Sequence, residues 1–139
     1  MAFESLTPNL MVSSVRKSAA FYCDLLGMTC AASVDSERGF HEGLPPEGVE
    51  PVWSQFLAGK VELMVQTRES LEADVPSFAF LPIGASQTLY FGVDNLDEMH
   101  ARLKDAVATV KGPETAFYGM REWYFTDPDG YVVCLAQKQ

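Results

Sequence analysis

Glu62 is the residue of this sequence best placed to do chemistry. It sits in the apolar run 61–67, whose alternation is typical of a β-strand. A carboxylate held in a cavity tends to have a raised pKa, which suits a general base, and an ionised one suits a cationic ligand. The alternative is a carboxylate satisfied by Thr7, Thr88 or water. We predict Glu62 as a catalytic or ligand-binding residue.

The cysteines and histidines offer weaker chemistry. Cys134 is a candidate nucleophile or metal thiolate, although a small buried thiol that fills space is the commoner case. With Cys23 and Cys30 it makes an odd set without CxxC spacing, which argues against a disulfide scaffold or a structural zinc site. We place His41 in a loop and His100 on the exposed side of a helix. No Ser-His-Asp arrangement is visible.

Three further side chains are candidates for contact with a ligand. Arg121 can hold a carboxylate through its guanidinium, or instead form a salt bridge with Glu122 or Glu114. The hydroxyls of Tyr90 and Tyr118 can hydrogen-bond a ligand, or serve only to anchor a sheet edge. Both alternatives stay open for each residue.

Composition restricts the class of protein. The chain has 139 residues, of which 47% are hydrophobic and 12% aromatic, so it can bury a core. Its net charge of −9 and its lack of Lys/Arg runs argue against nucleic acid or an anionic membrane as partner. No apolar stretch reaches the roughly 20 residues of a membrane span, and the N-terminus lacks a signal-peptide pattern. We expect a cytoplasmic protein.

Local patterns divide the first half into alternating elements. Ser14 is placed to cap a helix, and Gly27 is placed to end it in a left-handed conformation. The predicted elements are a strand at 6–13, a helix at 15–26, a strand at 28–34, a loop at 35–48, a hairpin of strands 52–58 and 61–67, a helical turn at 68–74 and an apolar bridge at 77–86. This bridge either packs against a neighbour or covers a ligand cavity.

The second half repeats this order. Asn95 is predicted to cap a helix with Glu98 in a capping box, and Asp127-Pro-Asp-Gly130 is a strong hairpin turn. The predicted elements are a strand at 87–93, a helix at 96–106, a weaker strand near 107–111, a Gly-Pro loop and a closing hairpin over 120–137.

A shift of 81 residues superimposes the two halves. It aligns Thr7 with Thr88 and Ser14 with Asn95. The other strand and helix residues of the two halves align in the same way. We predict an α+β fold, one domain over 1–139, made of two βαβββ modules at about 5–75 and 86–137 with a linker at 76–85. Neither module buries much surface alone, so their mixed sheets are expected to curve around a shared cavity.

Strand alternation separates residues that pack under the helices from those that face the cavity. The first set is Leu10, Val12, Val61, Leu63, Leu89, Phe91, Val133 and Leu135. The second set is Thr7, Asn9, Met11, Glu62, Met64, Thr88, Tyr90, Gly92, Val132, Cys134 and Ala136. The second set mixes polar and apolar groups, which favours a ligand pocket.

The repeat and two of its sequence motifs resemble those of a known family. The repeat, the phrase from Val12 to Gly27 with its Phe21-Tyr22 and Leu26-Gly27, and the closing Asp127-Pro-Asp-Gly-Tyr131 resemble the vicinal oxygen chelate superfamily. That superfamily includes glyoxalase I, extradiol dioxygenases, and fosfomycin- and bleomycin-resistance proteins. The resemblance covers about residues 6–137 and implies the fold more strongly than any reaction.

The resemblance implies where a metal would bind. Metal-using members carry one ligand on the first strand and one on the last strand of each module. The matching positions here are Thr7, Glu62, Thr88 and Cys134, and only Glu62 fits the usual His/Gln and Glu pattern. Threonine hydroxyls are poor ligands for a divalent metal. We therefore expect no cofactor, with a divalent metal held through Glu62 as the alternative.

Without the usual metal ligands, the sequence resembles the metal-free bleomycin-resistance type. Proteins of that type bind a ligand at the aromatic groove of a homodimer. An aromatic lining here would come from Phe40, Trp53, Phe78, Phe80, Tyr90, Phe117, Tyr118 and Trp123. The predicted ligand-binding residues are Thr7, Asn9, Met11, Trp53, Glu62, Met64, Thr88, Tyr90, Tyr118, Arg121, Trp123 and Cys134. The predicted function is metal-independent binding of a small, partly aromatic or cationic molecule. The alternatives are a metal-dependent lyase, isomerase or dioxygenase with an atypical ligand set, and a protein-interaction module.

Overall fold

The computed structural model describes residues 2–139 as two compact units. The first unit ends at Pro82 and the second is Ile83–Gln139. The first contains β1 (Asn9–Val12), α1 (Val15–Ala19) continued by a π-helix (Ala20–Leu25), β2 (Thr29–Asp35), β3 (Phe40–Glu42), β4 (Pro51–Ala58), β5 (Val61–Thr67), α2 (Arg68–Asp74) and a 3-10 turn (Pro76–Phe78). The second contains β6 (Thr88–Gly92), α3 (Leu96–Leu103), β7 (Ala108–Thr115), β8 (Met120–Thr126) and β9 (Val132–Lys138).

The two units have the same sheet topology except for β3, which the second unit, Ile83–Gln139, lacks. The strand order is β1-β5-β4-β2-β3 in the first unit and β6-β9-β8-β7 in the second. In each unit the first strand is parallel to the last, and the remaining pairs are antiparallel. The prediction of an α+β fold built from a repeated βαβββ unit is confirmed. No helix among residues 2–139 is long and apolar enough to cross a membrane.

The first helix begins and ends where its local sequence predicts. The Ser14 hydroxyl accepts a hydrogen bond from the Lys17 N–H at 3.2 Å, and Gly27 has a φ of 88°. The second half of the helix is a π-helix, although the sequence predicts α-helix throughout. This wider turn carries two adjacent buried rings, Phe21 and Tyr22, which meet edge to face at 4.9 Å.

Two predicted loops contain strands. The Asp35 carboxylate accepts hydrogen bonds from the Glu37 and Gly39 N–H groups, and this tight turn returns β3 antiparallel onto β2. The predicted Gly-Pro loop lies inside β7, where two register shifts interrupt the pairing with β8. Gly112 has a φ of 81°, and a Cβ there would collide with the Glu122 carbonyl oxygen. Both strands form by pairing with a neighbouring strand, β3 with β2 and β7 with β8.

The closing hairpin is confirmed. One Asp127 oxygen accepts hydrogen bonds from the Asp129 and Tyr131 N–H groups, each at 2.9 Å, and Gly130 has a φ of 89°. The aspartate therefore holds the turn, and the glycine supplies its left-handed residue. As a result, β8 pairs with β9 along the whole length of β8.

The cap of α3 differs from the prediction. The Asn95 side chain makes no capping hydrogen bond. Instead, Gln137 at the end of β9 accepts from the Leu96 N–H and donates to the Asp94 carbonyl, both at 2.9 Å. A residue 41 positions away from Leu96 thus takes over the capping role.

We expect Gln137→Ala to cost about 0.5–2 kcal/mol in the free energy of unfolding, the usual cost of a lost cap. Asn95→Ala serves as the matched control, and we expect it to change the unfolding free energy by less than about 0.5 kcal/mol. Urea titrations of both variants followed by circular dichroism measure the difference. A larger loss in Asn95→Ala would restore the local capping box as the dominant cap.

Candidate functional site

The two faces of β8 have different roles. Trp123 and Arg121 face α3, since the Trp123 ring lies 4.7 Å from the His100 ring and Arg121 Nε donates to Asp97 Oδ1 at 2.9 Å. Because side chains alternate along a strand, Glu122 and Tyr124 point to the opposite face. Strand pairing places residues of β9 and β6 beside them, with Tyr124 opposite Cys134 and Cys134 opposite Tyr90.

A cluster of three phenols surrounds one carboxylate on this face. Glu122 Oε2 accepts hydrogen bonds from the hydroxyls of Tyr90 and of Tyr118, the latter at 2.6 Å, and Oε1 accepts from Tyr124 at 3.4 Å. Only 3% of Glu122 is exposed, whereas Tyr90 and Tyr118 are 49% and 53% exposed. We call Tyr90, Tyr118, Glu122 and Tyr124 the tyrosine–glutamate cluster.

The protonation states of the cluster follow from these bonds. The hydroxyl of Tyr118, and then that of Tyr90, lowers the pKa of Glu122 by donating to its carboxylate. Hydrogen bonding to Glu122 raises the pKa of Tyr90 and of Tyr118, and burial raises the pKa of Tyr124. At neutral pH the cluster therefore carries one negative charge and three neutral phenols.

Cys134 lies beside this cluster as a thiol. It is fully buried, and burial raises its pKa to about 11. A protonated thiol is neither a good nucleophile nor a metal ligand at neutral pH. The space-filling alternative for Cys134 is the one that this environment favours.

The first unit gathers several predicted site residues on one face of its sheet. Register places Asn9 beside Met64, and Met11 and Trp53 beside Gln66, so these side chains share a face with Glu62. Of the predicted residues in this unit, Met11 is buried, and Thr7, Asn9, Trp53, Glu62 and Met64 are half-buried.

Glu62 has a partner that the sequence analysis did not consider. Its Oε1 accepts a hydrogen bond from Gln55 Nε2, one strand away on the same face. Asn9 likewise donates to Gln66 Oε1 at 2.9 Å. These amide bonds make the face polar without adding a second carboxylate beside Glu62.

The family's metal positions do not fit a divalent metal in this chain. The first unit offers a hydroxyl and a carboxylate, at Thr7 and Glu62. The second offers an exposed hydroxyl and a protonated thiol, at Thr88 and Cys134. Within the described part of the chain, no three His, Cys, Asp or Glu side chains are grouped closely enough to hold a metal ion. Neither pair, taken by itself, supplies the three good donors that a divalent metal prefers.

Arg121 and Trp123 are corrected by the structure. Arg121 pairs with Asp97, not with Glu122 or Glu114 as the sequence analysis weighed. Trp123 is completely buried and donates its indole N–H to the Thr109 hydroxyl at 3.0 Å. Both face α3 because they alternate with Glu122. Neither side chain lies with the tyrosine–glutamate cluster.

The histidines also have structural partners. His100 is half-buried against Trp123, although the sequence analysis placed it on an exposed face. His41 Nε2 lies 2.7 Å from Asp35 Oδ2, beside the turn that leads into β3.

A separate cleft of about 430 Å³ opens in the first unit where β2 and β5 end and β4 begins. Its lining includes Asp35, Arg38, Gln66, Glu69 and Asp74. Gln66 is tied into this lining, since its amide donates to Asp74 Oδ2 at 2.7 Å and to the Ser70 hydroxyl at 2.9 Å. None of the predicted ligand-binding residues lines this cleft.

Sequence reasoning missed Glu122 and Tyr124, although a signal for both was present. The turn at Asp127-Pro-Asp-Gly130 fixes the register of the hairpin, and that register places Tyr124 opposite Cys134. Cys134 had already been assigned to the cavity face. Its cross-strand neighbour, and the residue two positions before that neighbour, therefore belong to the same face.

Comparison with known proteins agrees with the fold and its repeat. The family model of the Glyoxalase/Bleomycin resistance protein/Dioxygenase superfamily matches residues 5–135. Comparison with curated proteins gives no match. Among solved structures, an antibiotic binding protein, TnmS3 from Streptomyces sp. CB03234, is 26% identical with a TM-score of 0.69, over 100% of this chain and 99% of that one.

Two further solved structures show the same fold. A protein of unknown function from Agrobacterium tumefaciens str. C58 is 20% identical, with a TM-score of 0.75 over 100% of this chain and 97% of that one. A glyoxalase/bleomycin resistance protein/dioxygenase from Nocardioides is 18% identical, with a TM-score of 0.71 over 99% and 85%. The chain belongs to the Glyoxalase/Bleomycin resistance protein/Dioxygenase superfamily.

Proposed function

We propose that this protein binds a small, partly aromatic or cationic molecule and needs no metal to do so. The observation that carries the proposal is the tyrosine–glutamate cluster, in which an ionised carboxylate lies behind two half-exposed phenol rings. Ring faces stack on flat aromatic groups and attract cations through their quadrupole. The charge of Glu122 adds to that attraction.

Two further observations support binding over catalysis. The donors at the family's metal positions are unsuited to a divalent metal, which weakens the alternative of a metal-dependent lyase, isomerase or dioxygenase acting through Glu62. TnmS3 is described as an antibiotic binding protein. The net charge of −9 gives a modest long-range attraction for a cationic molecule.

A thermal-shift experiment tests this proposal. The probes are benzyltrimethylammonium, benzyl alcohol and tetramethylammonium, each with and without EDTA. We expect the two aromatic probes to raise the melting temperature regardless of EDTA, because a ligand that binds only the folded state stabilises it by mass action. Tyr118→Ala should reduce the shift, and Val110→Ala, which removes an exposed apolar side chain from the same unit, should not.

Two outcomes would contradict the proposal. If no aromatic probe changes the melting temperature, the cluster is not a binding site for this class. If EDTA abolishes the shift, or if elemental analysis finds stoichiometric metal that is lost in Glu62→Gln, the metal-dependent alternative replaces it.

We also propose that the protein is a homodimer, as the resemblance implies. Several large aromatic side chains are strongly exposed, including Phe40 at 70%, Phe80 at 98% and Phe117 at 102%. A dimer would cover such side chains if they lie in one contiguous patch. Light scattering after size exclusion measures the mass, and a monomer at all concentrations would exclude the dimer. Cytoplasmic location stays a prediction from the sequence.

A further inference from the structure

We infer that the tyrosine–glutamate cluster selects an N-methylated ammonium group over a primary ammonium group. The inference rests on the proposed function, and it names the chemical class that the same site recognises. Its basis is that three phenols donate to Glu122 and cover it.

A ligand cannot reach the carboxylate directly. Glu122 is 3% exposed, and each of its two oxygens already accepts from at least one phenol. A direct ion pair would have to displace a hydroxyl from the charged group. Hydrogen bonds to a charged group are about twice as strong as neutral ones, so losing one offsets part of what a direct ion pair would gain. The negative charge therefore acts on a ligand through the phenol layer.

The accessible part of the cluster offers rings and few acceptors. Tyr90 and Tyr118 commit their hydroxyl protons to Glu122, which leaves ring faces and phenol oxygens to meet a ligand. A primary ammonium has three N–H donors and is strongly hydrated, so packing it against these rings removes hydration that the two phenol oxygens replace only in part. A trimethylammonium group has no N–H, and its charge suits aromatic faces.

Lys111 places a primary ammonium beside the cluster. Its Nζ lies 5.9 Å from the centre of the Tyr124 ring and 3.3 Å from Glu114 Oε1. The lysine therefore has a carboxylate of its own, and its side chain is 61% exposed to water. A ligand ammonium at Tyr90 and Tyr118 meets no such carboxylate within the cluster, because Glu122 is already engaged.

Isothermal titration with three probes tests the inference. Benzyltrimethylammonium and benzylammonium carry the same charge at pH 7, and benzyl alcohol is the neutral reference. We expect benzyltrimethylammonium to bind about tenfold more tightly than benzylammonium. We expect Glu122→Gln to reduce its affinity to nearly that of benzyl alcohol. Glu98→Gln removes the same charge from an exposed carboxylate on α3, on the other face of the sheet, and should change the affinity by less than about twofold.

The outcomes separate the inference from the proposed function. Equal affinities for the two cations, with aromatic binding retained, overturn the selectivity and leave the proposed function in place. Equal losses in Glu122→Gln and Glu98→Gln overturn it too, since net charge would then explain the attraction. If none of the three probes binds the folded protein, both fail. Circular dichroism establishes that each variant is folded.

Discussion

Trp123→Ala is expected to lower the free energy of unfolding by about 3–5 kcal/mol, the usual cost of truncating a large buried aromatic residue. The side chain is completely buried, and its ring lies 4.6 Å from that of Phe125 and 4.7 Å from that of His100. The truncation leaves a cavity between β8 and α3 and removes the hydrogen bond to Thr109. Urea unfolding followed by far-ultraviolet circular dichroism measures the loss.

Trp53→Ala is the matched control, because it removes the same side chain from the other unit. Trp53 is half-buried on the polar face of the first sheet. Its truncation should cost less than half as much, since its surroundings lose fewer contacts and water can enter the space. Equal losses in the two variants would show that Trp123 is not a core residue of the second unit.

Residue type alone did not separate a core tryptophan from a ligand-lining one. The sequence analysis placed Trp123 in an aromatic lining because tryptophan serves both purposes. Strand register distinguishes the two cases. Trp123 pairs with Leu135, a residue that alternation had already assigned to the helix side. Applying the hairpin register to every residue of β8 would have put Trp123 in the core and Glu122 on the opposite face.

Local chemistry accounts for the parts of the fold that the sequence predicted well. Ser14, Gly27 and Asp127 act through backbone groups within four residues, so their roles are visible in a short window. The repeat is equally visible, because it recurs at a fixed spacing.

The features that the sequence did not reveal depend on distant partners. Gly112 in β7 lies so close to the Glu122 carbonyl in β8 that no Cβ would fit there. The N-terminus of α3 is capped by Gln137 from the end of β9. The tyrosine–glutamate cluster belongs to this class only in part. Tyr118, Glu122 and Tyr124 are close in sequence, whereas Tyr90 reaches Glu122 from β6, 32 positions away.

Glu122→Gln is expected to destabilise the protein by about 1–2 kcal/mol at pH 7, because hydrogen bonds to a charged group are stronger than those to an amide. The phenols lower the folded-state pKa of Glu122 below its ordinary value of 4.5. The unfolded state therefore binds the proton more readily. The stabilisation is fully present above pH 4.5 and is lost as the pH falls through the folded-state pKa.

Urea titrations of the wild type and Glu122→Gln at pH 7 and in acid test this dependence. The stability difference between the two proteins should shrink in acid, where both side chains are neutral. Glu47→Gln, which neutralises an exposed loop carboxylate, should stay within about 0.5 kcal/mol of the wild type at both pH values. If the difference for Glu122→Gln is the same in acid as at pH 7, the ionised carboxylate stabilises the fold no more than the protonated acid does. The enclosed anion would then contribute nothing, and the selectivity for methylated ammonium groups would lose its physical basis.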